Sequence, residues 1–334
     1  MFAFSTVTIH DCILRNGVSV PVVVEASPSF PARRYTDTYN NRPPPTVETW
    51  AARPTPLDSS SLEVSLTGLI GEGRIGVTYS ARVNSARDAS GLDVTNSLPK
   101  EICLKFAKPP YVRSLAREAW FYEQLHKWQG ISTAKSFGFF STSVAQSHSG
   151  MLADIVPWKE SKKVPRHQYH PDNDSQNHLK DYLPDDAPDP RGCYSDEHGF
   201  HRDSPWKTWE HCPESPLLAV LALEKLGNHY FMPDKEPPNR LEGLRNALRA
   251  MVDDIAQEGV FHNDLTAFNI LGVPEESRTL CPRHNRRHKW RLVDFDRADK
   301  MDPQNCGSAE LNRARAQVRC IGDVWRGFWG AVEE

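Results

Sequence analysis

No stretch of this 334-residue chain approaches 18 uninterrupted apolar residues, so no helical membrane span is expected. The opening Met1-Phe2-Ala3-Phe4 is too short an apolar run for a signal peptide. Net charge is only −3, so no global field points toward nucleic acid or a membrane surface. The seven cysteines have no regular spacing, which argues against a disulfide framework. They read as reduced thiols of a cytoplasmic protein, with the nucleus left open. At 39%, hydrophobic residues are scarce for a compact chain, while the 26 prolines are many. A folded core diluted by irregular segments follows from that balance. The length allows one large domain or two smaller ones.

What is present comes in recognisable blocks. Residues 5–26 read as a β-hairpin, with Thr6-Val7-Thr8-Ile9 and the valine-rich run 18–24 flanking Asn16-Gly17, a tight-turn dipeptide. Residues 27–60, with Pro43-Pro44-Pro45, read as a linker or extended strap. Residues 62–83 suggest strand, glycine turn and strand, and 101–107 a third strand ended by Pro109-Pro110. Residues 114–128 have helical spacing, with Leu115, Phe121 or Tyr122, Leu125 and Trp128 on related faces, and Gly130 closes that helix. Residues 159–215 are rich in Asp, His, Asn and Pro and read as an irregular insertion. A buried strand is expected over 217–226. A long amphipathic helix is expected over 240–257, with Leu241, Leu244, Leu248, Met251 and Ile255 on one stripe. A short strand over 290–295 and a last helix over about 309–329 complete the expectation.

Several motifs point to chemistry on phosphates. Gly71-Glu72-Gly73-Arg74-Ile75-Gly76 lies between two strands, where glycines let backbone N–H groups close over phosphate oxygens. An unliganded glycine hairpin is the plain alternative. A dinucleotide-binding fold is disfavoured, because a strand rather than a helix follows the glycines. Lys105 sits inside the apolar strand Ile102-Cys103-Leu104-Lys105-Phe106 and needs a partner, which Glu118 on the next helix could supply. An edge-strand lysine and a solvated glutamate are the alternative. His262-Asn263-Asp264-Leu265 is followed by Asn269, then by Val293-Asp294-Phe295-Asp296. Asp264 can orient a hydroxyl, and Asn269 and Asp294 can hold Mg²⁺. His262 reads as a structural imidazole bonding the loop backbone. Asp296 reads equally as support for Asp294 or as a solvated residue. Leu223-Glu224-Lys225-Leu226 leaves the buried strand, and its backbone could pair with adenine. Cys281, His284 and His288 invite a zinc reading, but only three ligands stand together among Arg283, Arg286, Arg287, Lys289 and Arg291. The stretch 278–289 reads instead as an exposed basic loop, suited to an acidic partner.

Taken in order, these residues resemble the protein-kinase-like superfamily over roughly 62–300. His-Asn-Asp-Leu with Val-Asp-Phe-Asp-Arg-Ala is similar to the pairs of choline kinases, aminoglycoside phosphotransferases and lipopolysaccharide-core kinases. Glu118-Ala119-Trp120-Phe121-Tyr122 and Leu125-His126-Lys127-Trp128-Gln129-Gly130 resemble runs in fungal kinase-like proteins. The resemblance implies Lys105 paired with Glu118 on the α/β-phosphates, and Asp264, Lys105 and Asn269 as catalytic residues. It implies ATP held by Gly71, Gly73, Gly76, Lys105, Glu118, Glu224 and Leu226, and Mg²⁺ on Asn269 and Asp294. Departures are Asn263 where many protein kinases carry Arg, Asp-Phe-Asp for Asp-Phe-Gly, no Ala-Pro-Glu, and only 40 residues after Asp294.

The expected fold is therefore α+β: a two-lobed protein-kinase-like fold with a shortened C-lobe. Residues 1–61 would be an N-terminal hairpin and Pro-rich strap, 62–226 an N-lobe with the insertion at about 159–215, and 227–334 a shortened helical C-lobe. The expected activity is transfer of the ATP γ-phosphate to a protein or small-molecule hydroxyl. The alternative is a pseudokinase scaffold that binds nucleotide or a protein partner without catalysis. A third reading is a fragment of a longer gene product. The expected partners are ATP and an acceptor of unknown identity, with no nucleic acid and no membrane.

Overall fold

A computed structural model of the protein describes residues 4–15, 17–35, 50–144, 154–159, 181–187, 194–195, 199–230 and 238–301. β1 (Thr6–Arg15) and β2 (Val18–Ala26) form the expected antiparallel hairpin. Gly17 takes φ +77° at its turn, where a Cβ would be strained; Asn16 lies outside the described residues. β4 (Ser61–Glu72), β5 (Gly76–Arg87) and β6 (Glu101–Ala107) form an antiparallel meander around the glycine turn. β7 (Ser136–Ser143) and β10 (Leu217–Glu224) complete the sheet, in the order β2-β7-β10-β6-β5-β4-β1. Because β1 also pairs with β2, these seven strands close on themselves. The β1–β4 pairing is parallel, so the barrel is mixed. β8 (Asp154–Ile155) adds to β1 outside the ring and leads into a short helix, α2 (Val156–Lys159).

The two-residue period of the strands divides the core in two. Val7, Val24, Val64, Tyr79, Leu104, Phe106, Phe140, Val220 and Ala222 belong to one buried cluster drawn from all seven strands, which fills the barrel. Alternate residues of the same strands, Ala219, Leu221 and Leu223 of β10 among them, join a second cluster with α1 (Val112–Gln124). Lys105 therefore has opposite parity to Leu104 and Phe106. The alternation that buries those two aims the lysine out of the barrel, toward α1.

After β10 the chain continues as α3 (Pro238–Ala256), which buries Leu244, Leu248, Met251 and Ile255 as its spacing requires. Short antiparallel ladders follow: β11 (Val260–Phe261) with β16 (Asp299–Lys300), β12 (Ile270–Gly272) with β15 (Trp290–Leu292), and β13 (Leu280–Cys281) with β14 (Arg286–Arg287). One further ladder joins β3 (Arg34–Tyr35) to β9 (Tyr194–Ser195).

This architecture overturns the expected two-lobed α+β fold. The described residues are mostly β, built on a closed seven-stranded mixed barrel, with three α-helices beside it. The physical reason lies in long-range pairing. The N-terminal hairpin, whose partners are far away in sequence, inserts between β4 and β7 and closes the sheet. Likewise α3 is the one long helix of the described part of 227–334, where a helical lobe was expected. The helix expected over 309–329 lies outside the described residues.

The insertion expected over 159–215 is docked at several of its described residues, while 212–215 is exposed. Asp181 accepts from the Ser114 backbone N–H at 2.7 Å and from its hydroxyl at 2.5 Å, inside α1. Asp185 forms a buried ion pair with Arg117. Trp206 is buried, and its indole N–H donates to the Pro28 carbonyl at 2.6 Å.

Candidate active site

One cleft of about 980 Å³ runs between the glycine turn, the outer face of β6 and β10, and the loops after α3. Every residue expected to bind nucleotide or metal lines it: Gly71, Gly73, Gly76, Lys105, Glu118, Glu224, Leu226, Asp264, Asn269 and Asp294. They come from stretches separated by up to 223 residues, Gly71 to Asp294, and the fold brings them together.

Lys105 is the hub. Its Nζ lies 2.7 Å from Glu118 Oε2 and 2.7 Å from Asp294 Oδ1. Burial alone would depress the ammonium, but the two carboxylates outweigh it and raise its pKa. Glu118 is fully buried, and desolvation drives its pKa up against the pull of Lys105. Asp294 is also desolvated, but the Lys105 charge and hydrogen bond win and lower its pKa. At neutral pH, Lys105 and Asp294 are therefore both charged.

The β12–β15 ladder sets the pair of candidate metal ligands. Ile270 pairs with Leu292, and the Val293 N–H donates to the Asn269 carbonyl at 3.1 Å. Asn269 thus precedes one strand and Asp294 follows the other, side by side at the ladder's end. The Asn269 amide nitrogen donates to the Asp264 carbonyl at 2.7 Å and to its carboxylate at 3.2 Å. Its amide oxygen and the Asp294 carboxylate are hard donors of the kind Mg²⁺ accepts while keeping several waters. Asp294 takes φ +66°, a costly conformation for a residue other than glycine, and Asn263 takes +59°. Both strained positions flank the same cleft.

His262 behaves as its sequence context suggests. It is buried, its Nε2 donates to the Val293 carbonyl at 2.8 Å, and its Nδ1 accepts from the Asp264 N–H at 3.3 Å. The imidazole joins the Asp264 loop to the strand of Asp294 and is occupied at both nitrogens. Glu224 is similarly engaged. Its carboxylate pairs with Arg291 and its backbone N–H donates to the Lys135 carbonyl at 2.8 Å.

The three glycines differ. A Cβ on Gly76 would lie 2.4 Å from the Phe106 carbonyl oxygen, so this glycine lets β5 pack on β6. A Cβ on Gly71 would meet nothing within 4 Å, and at Gly73 it would reach only the Gly76 carbonyl at 4.0 Å. These two leave open space at the cleft rim.

Two side chains at Asp296, Arg74 and Arg117, were given no role from the sequence. Arg74, at the tip of the glycine turn, reaches across the cleft to form an ion pair with Asp296, which is buried. The Arg117 guanidinium donates to the Asp296 carbonyl at 2.9 Å. Desolvation, then the neighbouring Asp294 charge, raises the Asp296 pKa. Asp296 is therefore a buried anchor for the turn: it is not solvated, and it is held by Arg74 and Arg117 rather than bonded to Asp294. Its position two residues after Asp294 was the available signal. Arg74 gave none, because its partner lies 222 residues away.

Among known proteins, no family model matches this chain and no curated protein is significantly similar to it. Among the described residues, no helix is long and apolar enough to cross a membrane.

Proposed function

We propose that this protein is a Mg-ATP-dependent phosphotransferase acting on a hydroxyl of a protein or small molecule. Support comes above all from one observation: Lys105 bridges Glu118 and Asp294 at 2.7 Å each, inside the cleft lined by Asp264 and Asn269. Phosphoryl transfer asks the protein mainly for positioning and for charge neutralisation. The residue order, which resembles that of the protein-kinase-like superfamily, supports the same chemistry on a different scaffold. Chemistry belongs to sites rather than to folds.

In this reading Gly71 and Gly73 keep the turn free of side chains where the phosphates would lie, although the Gly73 N–H itself donates to the Gly76 carbonyl at 2.9 Å. Lys105, held by Glu118, meets the α/β-phosphates. Asn269 and Asp294 hold Mg²⁺, which neutralises charge on the transferring group. Asp264, tied down by Asn269, orients the acceptor hydroxyl. The Glu224 N–H is already used, so adenine would be met by the Glu224 carbonyl and the Leu226 backbone.

The decisive measurement is a thermal shift with ATP, with and without Mg²⁺, followed by mass spectrometry for autophosphorylation. ATP at 100 times its Kd should add about 2.7 kcal/mol of stability. No shift at millimolar Mg-ATP would overturn the reading. A shift without any transfer would leave a nucleotide-binding scaffold.

A further inference from the structure

The stretch 278–289 is exposed over most of its length, as its composition suggests, but two of its side chains turn inward. Cys281 is fully buried and His288 nearly so. The β13–β14 hairpin folds them onto the last turns of α3, where Asp254, also fully buried, faces them. Asp254 is the fourth group that the sequence could not show, because it lies 27 residues upstream of Cys281 on another element.

The four side chains converge. One ligand atom from each of Asp254, Cys281, His284 and His288 lies within 4.8 Å of the others. Cys281 Sγ is 3.4 Å from His284 Nδ1 and 3.6 Å from Asp254 Oδ2. Asp254 Oδ1 is 3.3 Å from His284 Nδ1, and Oδ2 is 3.4 Å from His288 Nε2. Around a tetrahedral zinc with ordinary bond lengths, N···O edges should be about 3.3 Å and S···N edges about 3.6 Å. The four separations just given match those edges, and all the ligand atoms lie within 4.8 Å of one another.

Its hydrogen bonding is incomplete in the way a metal site would be. Asp254 Oδ1 and both nitrogens of His288 are buried without a hydrogen-bond partner. Buried polar atoms are seldom left so. The outer contacts, by contrast, are made. The Ser132 hydroxyl donates to Asp254 Oδ2 at 2.5 Å, and the backbone N–H groups of His284 and Arg283 point at the Cys281 sulfur. Such contacts orient metal ligands. The competing reading is a buried carboxylate paired with Arg283, whose guanidinium is 3.8 Å from Asp254 Oδ1. That pair leaves His288 unexplained, and Arg283 is partly exposed.

We propose that Asp254, Cys281, His284 and His288 form a structural zinc site. The spacing Cys-x₂-His-x₃-His suits one, and a full set of four protein ligands leaves no open position for catalysis. Its place in the fold gives it a purpose. The hairpin it clamps is the connection between β12 and β15, the ladder that sets Asn269 beside Asp294. Fixing that connection to α3 would hold the ladder in register. The inference stands apart from the nucleotide reading and survives its failure.

The test is elemental analysis of the purified full chain, with about one zinc per chain expected. Cobalt(II) exchanged into the wild type should give a thiolate-to-cobalt charge-transfer band in the near ultraviolet. Cys281→Ser should abolish that band, and His288→Ala should release the zinc. Folded wild-type protein that carries no zinc, takes up none when it is added, and gives no such band with cobalt would overturn the proposal. Should both variants fail to fold, the wild-type zinc content and cobalt spectrum still decide.

Discussion

Lys105 Nζ stands 2.7 Å from both Glu118 Oε2 and Asp294 Oδ1, and Glu118 Oε1 is buried with no hydrogen-bond partner. The lysine is therefore a structural counter-ion as well as a candidate phosphate ligand. Removing it leaves a buried, uncompensated carboxylate, which costs about 3–5 kcal/mol unless the group takes up a proton. Lys105→Met should lower stability markedly, and adding Glu118→Gln should restore most of it. Phosphoryl transfer should not return in the double variant. Chemical denaturation of the four-member cycle, with a transfer assay, checks both halves. Additive stability losses would show that the pair is not coupled.

The second expectation separates nucleotide from metal. Asp294→Asn removes a charge that Lys105 neutralises and that Mg²⁺ would share. ATP should still raise the melting temperature of this variant, but the extra shift from Mg²⁺ should disappear. An undiminished Mg²⁺ increment would exclude Asp294 as a ligand.

Much of the site was legible in the sequence, because each motif is a local signal: glycines at a turn, a lysine inside an apolar strand, Asp264 and Asn269 at fixed spacing. The hairpin over 5–26 and the helix over 240–257 were legible for the same reason. What the sequence did not disclose depends on long-range pairing. The parallel β1–β4 pairing closes the barrel and replaces the expected two lobes, and no local pattern announces it. Asp254 was hidden from Cys281 and His288 in the same way, as was Asp296 from Arg74. Composition misled once more at 181–187. That stretch reads as a polar excursion, yet Asp181 and Asp185 are buried against Ser114 and Arg117.

That docking leads to a third prediction. Asp185 and Arg117 are both buried, and Arg117 also donates to the Asp296 carbonyl inside the cleft. Asp185→Ala should destabilise by about 3–5 kcal/mol, because it strands a buried guanidinium. Replacing both partners with leucine should recover most of that loss. Limited proteolysis should spare 181–187 and 199–209 in the wild type and open them in Asp185→Ala. Cleavage of the wild type at these residues as fast as in the variant would refute the docking.

Glu123, near the end of α1, supplies a pH-dependent term. Burial pushes its pKa from 4.5 to about 7, against hydrogen bonds from the Arg53 N–H and the Ser29 hydroxyl. The folded state then binds more protons than the unfolded state between these two values. The stability it contributes is fully present below pH 4.5 and is lost as pH rises through 7. Glu123→Gln keeps the acceptor oxygen and removes the charge. The variant should gain about 1–3 kcal/mol over wild type at pH 8 and almost nothing at pH 4. Parallel stability curves for the two proteins across this range would show that Glu123 does not carry the effect.

The last prediction concerns control. Where protein kinases that need activation-loop phosphorylation present an arginine beside the catalytic aspartate, this chain has Asn263. Its amide nitrogen donates to the Asp299 carboxylate at 2.7 Å and to the Arg297 carbonyl at 3.4 Å. A neutral side chain already engaged in this way offers no charge to a phosphate. The only cation reaching over the cleft from the glycine turn, Arg74, is paired with Asp296. Transfer activity, once observed, should therefore not depend on a phosphorylated residue docked beside Asp264. Phosphatase-treated and untreated protein should transfer phosphate at rates within a factor of two in the same assay, a difference of about 0.4 kcal/mol or less in barrier. A tenfold loss after treatment, about 1.4 kcal/mol, would mean that a phosphate group completes the site and that Arg74 or Arg297 is its ligand.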